Sequence, residues 1–186
     1  MKKVVILISG RGSNMKAIVE NVQKGILQNY CEVVEVFSNK PDAEGLGIAT
    51  KMGLKTFSIA SRKEKNYNGL LFEHLKEITP DFIILAGYMK ILDAKIVKYF
   101  ERKIINIHPA DTKLHQGLNG YKWAFRNKLS KTKITVHFVD EGLDSGEIID
   151  QIEVDISNCQ TLIEIECKGL KIEHKFYSEC LKKILK

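Results

Sequence analysis

Asn106 and His108 stand two residues apart at the end of an apolar run, just before Pro109. In an extended segment, residues two apart project to the same side, so both side chains can face one pocket. An asparagine offers a neutral N–H to a developing oxyanion, and a histidine can donate or carry a proton near neutral pH. Pro109 stops the strand and restrains the turn that follows. Taken alone, the pair reads equally well as a strand end with a hydrogen-bonded histidine. Asp144, within Leu143-Asp144-Ser145-Gly146, is by itself a turn former. Set against a catalytic imidazole, it would orient the ring and favour its charged form, raising its pKa. The other histidines, His74, His115, His137 and His174, lack such company, and His137 reads as a structural residue within a strand.

A second candidate lies near the N-terminus. Ser9-Gly10-Arg11-Gly12-Ser13-Asn14 joins an apolar run to a helical pattern. The free N–H groups of a helix N-terminus carry partial positive charge and bind phosphate well. Glycines let the backbone approach the anion, and Ser13 and Asn14 can add donors. The segment lacks the Gly-Lys-Ser/Thr ending of a P-loop, and Met15 stands where a dinucleotide fingerprint needs its third glycine. A phosphate monoester is the ligand it suits. The competing reading is a tight turn capped by Ser13 or Asn14.

These residues need a scaffold that brings strand ends together. Short β-rich runs alternate with helical patterns, which predicts an α/β fold: a mostly parallel sheet with helices on both faces. Strands are expected at Val4–Ile8, Cys31–Phe37, Thr56–Ile59, Phe82–Ala86 and Lys103–Ile107, with two more at Ile134–Val139 and Glu147–Val154 around the turn at Asp140 to Gly146. Helices are expected at Asn14–Gln23, Ala43–Met52, Tyr67–Ile78, Asp93–Tyr99, around Gly120 to Asn127, and at Leu162–Leu185. No repeat, linker or low-complexity tract divides the chain, so residues 1–186 are expected to form one catalytic domain.

Composition narrows the classes. The 186 residues can bury one core without staples, and a 28% charged content is that of a globular chain. No apolar run reaches the length of a bilayer span, and Val4 to Ile8 is too short for a secretion signal. The four cysteines show neither CxxC pairing nor zinc spacing, as in a reduced, cytoplasmic protein without a metal. The net charge of +6 comes from dispersed lysines, which argues against a nucleic-acid binder and suits anionic small molecules.

Four segments together resemble one family. Ile8 to Asn14, Leu85-Ala86-Gly87-Tyr88-Met89-Lys90-Ile91-Leu92, Ile105-Asn106-Ile107-His108-Pro109, and Val136 to Val139 leading to Asp144-Ser145-Gly146 look like the phosphoribosylglycinamide formyltransferases, over essentially the whole chain. The Asn-x-His-Pro and Asp-x-Gly elements belong to folate-dependent formyltransferases at large; the opening Ser-Gly-x-Gly-Ser-Asn points to the purine-pathway members. The resemblance implies a Rossmann-like formyltransferase fold and transfer of a formyl group from 10-formyltetrahydrofolate to the amine of glycinamide ribonucleotide. Gly12, Ser13 and Asn14 would hold the phosphate. Glu173, otherwise an exposed helix charge, would contact the glycinamide substrate. Met89, Lys90, Ile91 and Leu92, otherwise core packing after a strand, would border the pterin pocket with Asn106. Asn106 and protonated His108 would stabilise the oxyanion, with Asp144 behind the histidine. The implied partners are small molecules only, with neither nucleic acid nor membrane, in a monomer or homodimer.

The chain departs from the pattern after Pro109, where Ala110-Asp111-Thr112-Lys113 replaces Ser-Leu-Leu-Pro. A basic residue expected shortly before Tyr67 is replaced by Glu64, between Lys63 and Lys65. Two rival readings accompany the transferase: a formyltetrahydrofolate hydrolase that uses water as acceptor, and a phosphate-ligand binding protein without turnover.

Overall fold

The first strand sets the architecture. In the computed structural model, which describes residues 1–186, β1 (Lys2–Ile8) has its last five residues buried. Val4, Ile6 and Ile8 enter one core while Val5 and Leu7 enter another. That alternation is what a strand covered on both faces must show. Each fully buried aliphatic side chain contributes roughly 1.5–3 kcal/mol, so five in a row hold β1 at the centre of the sheet.

The remaining elements follow as α1 (Ser13–Lys24), β2 (Cys31–Ser38), α2 (Glu44–Lys51), β3 (Thr56–Ser58), α3 (Tyr67–Ile78), β4 (Phe82–Leu85), α4 (Ala94–Tyr99), β5 (Ile104–His108), α5 (Gly120–Arg126), β6 (Lys131–Phe138), β7 (Ile148–Asp155) and α6 (Leu162–Leu185). All seven strands form one sheet, ordered β3-β2-β1-β4-β5-β6-β7. The first five are parallel; β6 and β7 pair antiparallel to what precedes them. Helices α1, α5 and α6 supply buried residues on one face, and α3 and α4 on the other.

The expected α/β architecture is thus observed, with boundaries differing by a few residues. The largest difference is β6, which starts at Lys131 rather than Ile134. Its first residues, Lys131-Thr132-Lys133, pair with Asp155 to Glu153 of β7, and their polar side chains give no apolar signal. Asp93 caps α4 rather than opening it: its carboxylate accepts from Lys95 N at 2.9 Å.

Two features fix the strand ends around the cleft. The order reverses at β1, whose neighbours are β2 and β4, and such a switch point opens a crevice beyond the strand C-termini. Helix α6 is started by a reciprocal capping box between Thr161 and Glu164. It is then anchored over the sheet by fully buried Tyr177, whose hydroxyl lies 3.0 Å from the carbonyl oxygens of both Leu85 and Ile105. These are the last residue of β4 and a residue of β5, so α6 is locked to the strands that carry the site. No helix is long and apolar enough to cross a membrane.

Candidate active site

Helix α1 begins directly behind β1. Its N-cap is Gly12, in the left-handed region at φ 74°, and no side chain caps the helix. The first intrahelical bond closes from Lys16 N to Gly12 O. Capping by Ser13 or Asn14 is therefore not what the turn does, and the N–H groups of the first turn have no side-chain acceptor. Glycine is required at position 12 twice over: a Cβ there would lie 2.9 Å from the Gly45 Cα, and φ is positive.

Asn14 points elsewhere than the turn alone suggests. Its Nδ2 donates to Glu173 Oε2 at 2.6 Å, leaving its buried Oδ1 without a hydrogen-bond partner. Glu173, on α6, is 5% exposed, so the alternative of an exposed helix charge is corrected. Its second oxygen accepts from the Tyr121 hydroxyl at 2.5 Å. Tyr121 comes from α5 and is in turn placed by Gly169, where a Cβ would sit 2.2 Å from the phenol oxygen. Burial and the Glu173 charge raise the Tyr121 pKa, which keeps the phenol a donor.

Asn106, His108 and Asp144 are brought together. Asn106 and His108 lie on β5, the first half-buried and the second 4% exposed. Asp144 reaches them from the turn after β6, with φ 49°, a left-handed position that aspartate tolerates better than most residues. Its Oδ1 accepts from Asn106 Nδ2 at 3.2 Å and its Oδ2 from Gly117 N at 2.8 Å. His108 Nδ1 is 3.3 Å from Oδ2 and His137 Nε2 is 3.4 Å from Oδ1. Burial raises the Asp144 pKa, but the His137 and Gly117 donors and the two imidazoles outweigh it, and the carboxyl falls below its usual range. The opposite holds at His108. Burial pushes its pKa down; Asp144 and the His115 carbonyl pull it back, without restoring the ordinary imidazole value. The raised pKa expected from the Asp144 partnership alone is therefore reversed by desolvation.

His108 Nε2 donates to the His115 carbonyl at 3.0 Å. That carbonyl belongs to the altered loop after Pro109, and the loop is tied down. Asp111 Oδ2 accepts from Lys133 Nζ at 2.8 Å, and the Ala110 carbonyl accepts from Thr135 Oγ1 at 2.7 Å. The His115 ring stacks on Trp123, with centroids 5.0 Å apart and planes 14° apart, and its Nε2 donates to Leu118 O.

A cavity of about 470 Å³ opens over the cluster, bordered by residues 87–92, the Gly117–Asn119 segment and the 139–144 turn. Met89 and Ile91 are exposed at 60% and 76%, whereas Leu92 is buried at 9% and serves the core. Lys90 Nζ sits 5.0 Å from the centre of the Tyr67 ring. Ser9 joins this wall to the glycine turn before α1: its Oγ accepts from Met89 N at 2.8 Å and donates to Asn39 Oδ1 at 2.6 Å. No three His, Cys, Asp or Glu side chains converge on a point that could hold a metal ion.

Sequence reasoning missed His137, Tyr121 and the His115 carbonyl. For His137 a signal existed. It lies directly opposite Asn106 in the antiparallel β5–β6 pair, so reading the direction of that pairing would have placed it in the cluster. Nothing in the sequence marks Tyr121 or a backbone carbonyl.

A family model described as formyl transferase matches residues 2–181. The chain is 33% identical to phosphoribosylglycinamide formyltransferase of Bacillus subtilis, over 100% of this chain and 95% of that protein. It is 38% identical to the trifunctional purine biosynthetic protein adenosine-3 of Drosophila pseudoobscura pseudoobscura, over 83% of this chain, and spans 12% of that much longer protein. The crystal structure of phosphoribosylglycinamide formyltransferase from Bacillus halodurans superposes with a TM-score of 0.93 at 33% identity, covering 99% of this chain and 95% of that one.

Proposed function

The chain belongs to the formyl transferase family, and from that premise we propose that it transfers a formyl group from 10-formyltetrahydrofolate to the amine of glycinamide ribonucleotide, in de novo purine biosynthesis. The observation that carries the reading is the gathering of Asn106, His108 and Asp144 beneath a cavity walled by residues 87–92. The uncapped start of α1 at the neighbouring strand end suits the phosphate through the N–H groups of Ser13 and Asn14 and the close backbone approach at Gly12. Glu173 is already held by Asn14 and Tyr121, which suits a fixed acceptor for the hydroxyl or amine groups of the ribonucleotide.

The cavity fits the folate: Met89, Ile91 and Leu118 offer exposed apolar surface at its edge, and polar groups stand at its floor. When bound there, the folate supplies the formyl carbon that the substrate amine attacks. Asn106 and His108 meet the negative charge that develops on the formyl oxygen, and single donors of this kind are worth about 10²–10³ in rate. His108 Nε2 can make that bond only by giving up the His115 carbonyl, so loop movement accompanies entry of the formyl group. Asp144 faces Nδ1 and favours the charged ring as the oxyanion forms. Breaking the bond between the formyl carbon and the folate nitrogen would leave the formyl group on the amine, and the proton the amine loses would pass to that nitrogen through His108 or water. Residues 1–186 act as one catalytic domain in the cytoplasm, on small molecules.

The test is an assay of purified protein with 10-formyltetrahydrofolate, with and without glycinamide ribonucleotide. Loss of formyl folate only with the ribonucleotide is expected. Equal loss without it would replace the transferase by a hydrolase, and binding without turnover would replace it by a binding protein.

A further inference from the structure

Ser9 opens the glycine-rich segment that runs to Asn14, yet its bonds lead away from that turn. It directly follows β1 and is 3% exposed. The β1–β4 pairing ends at Leu7 and Leu85, and two main-chain bonds extend the contact. Ala86 N donates to Leu7 O at 2.9 Å, and Ser9 N to Gly87 O at 3.1 Å. Gly87, at φ 75°, then turns the chain along the edge of the cavity. The Met89 N–H beyond that turn is met by a side chain instead of a neighbouring strand: it donates to Ser9 Oγ at 2.8 Å.

A serine has two donors, its N–H and its O–H. The N–H of Ser9 is spent on Gly87 and the O–H on Asn39 Oδ1, at 2.6 Å. No Ser9 donor is left for a phosphate oxygen. Asn39 follows β2, is buried, and donates in turn to Ser61 Oγ at 3.3 Å. A chain of side-chain bonds thus runs from beyond β3 across the ends of β2 and β1, and it aims the Ser9 lone pairs at Met89. Elsewhere along residues 87–92, Leu92 is seated in the core and the Tyr88 hydroxyl meets that of Tyr67. Met89 and Ile91 stand exposed between these anchors.

We infer that Ser9 is a positioning residue for the folate: its hydroxyl, aimed by Asn39, holds the main chain at Met89 and so sets the shape of the cavity wall. The inference rests on the reading of residues 87–92 as the folate wall. It separates Ser9 from its neighbours Gly12, Ser13 and Asn14, which serve the ribonucleotide in that reading.

Two measurements test it. The first needs neither ligand nor turnover. Methionine-labelled (¹⁵N) protein is followed by NMR in heavy water, with the Met89 amide signal assigned by its loss in Met89→Leu. Removing one net hydrogen bond changes a local equilibrium about three- to tenfold, so Ser9→Ala should speed Met89 exchange by that factor. Met15, in the first turn of α1, and Met52, at the end of α2, should stay within about twofold. An unchanged Met89 overturns the inference, and so does equal acceleration at all three, which is a general loss of stability.

The second is steady-state kinetics. Ser9→Ala should raise KM for 10-formyltetrahydrofolate about three- to tenfold and change KM for glycinamide ribonucleotide less than about twofold. Asn39→Ala keeps the hydroxyl but removes the acceptor that aims it, and should show the same pattern at smaller size. It carries both measurements if Ser9→Ala does not fold. A rise confined to the ribonucleotide KM, or equal in both, overturns the inference. Absence of turnover in wild type would instead fail the formyl-transfer reading and leave the exchange rates to decide this one.

Discussion

Two carboxylates, buried Glu173 and partly buried Asp144, divide the cleft between them, and they are held in opposite ways. Glu173 sits on a 24-residue helix and receives two short bonds, from Asn14 at 2.6 Å and Tyr121 at 2.5 Å. Neither donor titrates near neutral pH. Asp144 sits in a turn with a left-handed backbone and faces four groups at 2.8 to 3.4 Å, two of them imidazoles. A carboxylate fixed by neutral donors presents one unchanging surface, which suits recognition. One surrounded by groups that gain and lose protons suits chemistry. The helix-borne site is rigid by construction, and the loop-borne site depends on segments that must move.

The largest expected effect tests that division directly. Asp144→Asn should lower kcat by about 10²–10⁴ while changing KM for the ribonucleotide less than about threefold. Glu173→Gln should do the reverse, raising that KM about tenfold or more with kcat lowered less. Steady-state kinetics with each substrate varied in turn would measure both. If the two variants lose kcat and KM in the same proportions, the carboxylates do not have separate roles.

Backbone substitutions sharpen the contrast. Gly12 and Gly117 both have positive φ, 74° and 82°, and each serves one carboxylate's region. A Cβ at Gly12 meets the Gly45 backbone at 2.9 Å, whereas at Gly117 the nearest atom is a side-chain methyl of exposed Leu143 at 3.4 Å. Both changes carry the left-handed strain of about 1–2 kcal/mol, and Gly12→Ala adds a backbone clash. Urea unfolding should rank Gly12→Ala as the more destabilised. The reverse order would mean that the α1 turn is not the stiffer of the two.

The difference also shows in what the sequence reveals. The alternation of strands and helices is written in periodicity, because buried strands and amphipathic helices leave patterns of their own. The nearness of Asn106 and His108 follows from strand geometry. What is not legible is partnership across distance. Asp144 and His108 are 36 positions apart in the sequence as numbered, and only the turn after β6 brings them within 3.3 Å. Glu173 reads as a surface charge until α6 folds back and buries it against Asn14. The direction of the His108 shift was misread for the same reason: the sequence names the neighbouring charge but not the depth of burial, and burial is the larger effect.

That shift has a consequence for stability. A histidine whose folded pKa is depressed binds fewer protons folded than unfolded between that value and about 6.5, so stability is complete above 6.5 and falls with acidification through the window. Asp144, depressed as well, adds a loss of the same sign at lower pH, below the usual carboxylate range near 3.8. Thermal midpoints should therefore fall as pH drops from 7 toward 5, and His108→Gln should flatten that fall. An equal slope in the variant would place the acid sensitivity elsewhere.

The smallest effect on stability falls on the loop, and there it separates position from energy. Asp111 replaces an apolar residue of the family pattern and pairs with Lys133, 22 positions later, whose side chain is 40% exposed. The aspartate side chain is only 13% exposed, but the exposure of the lysine keeps the pair worth about 1 kcal/mol or less, so Asp111→Asn should change unfolding little. Its effect should appear in the loop instead. Asp111 anchors the segment that carries the His115 carbonyl onto His108, and the His115 ring stacks on Trp123, the single tryptophan of the chain. Trp123 lies on α5 and stacks on His115, so its emission, excited apart from that of the six tyrosines, reports on that contact. Loosening the tether should change Trp123 emission and free His108 Nε2 from its backbone acceptor, raising the share of molecules ready for the formyl oxygen. Emission unchanged by Asp111→Asn, with folate KM also unchanged, would show that Lys133 and Asp111 hold each other without setting where His115 lies.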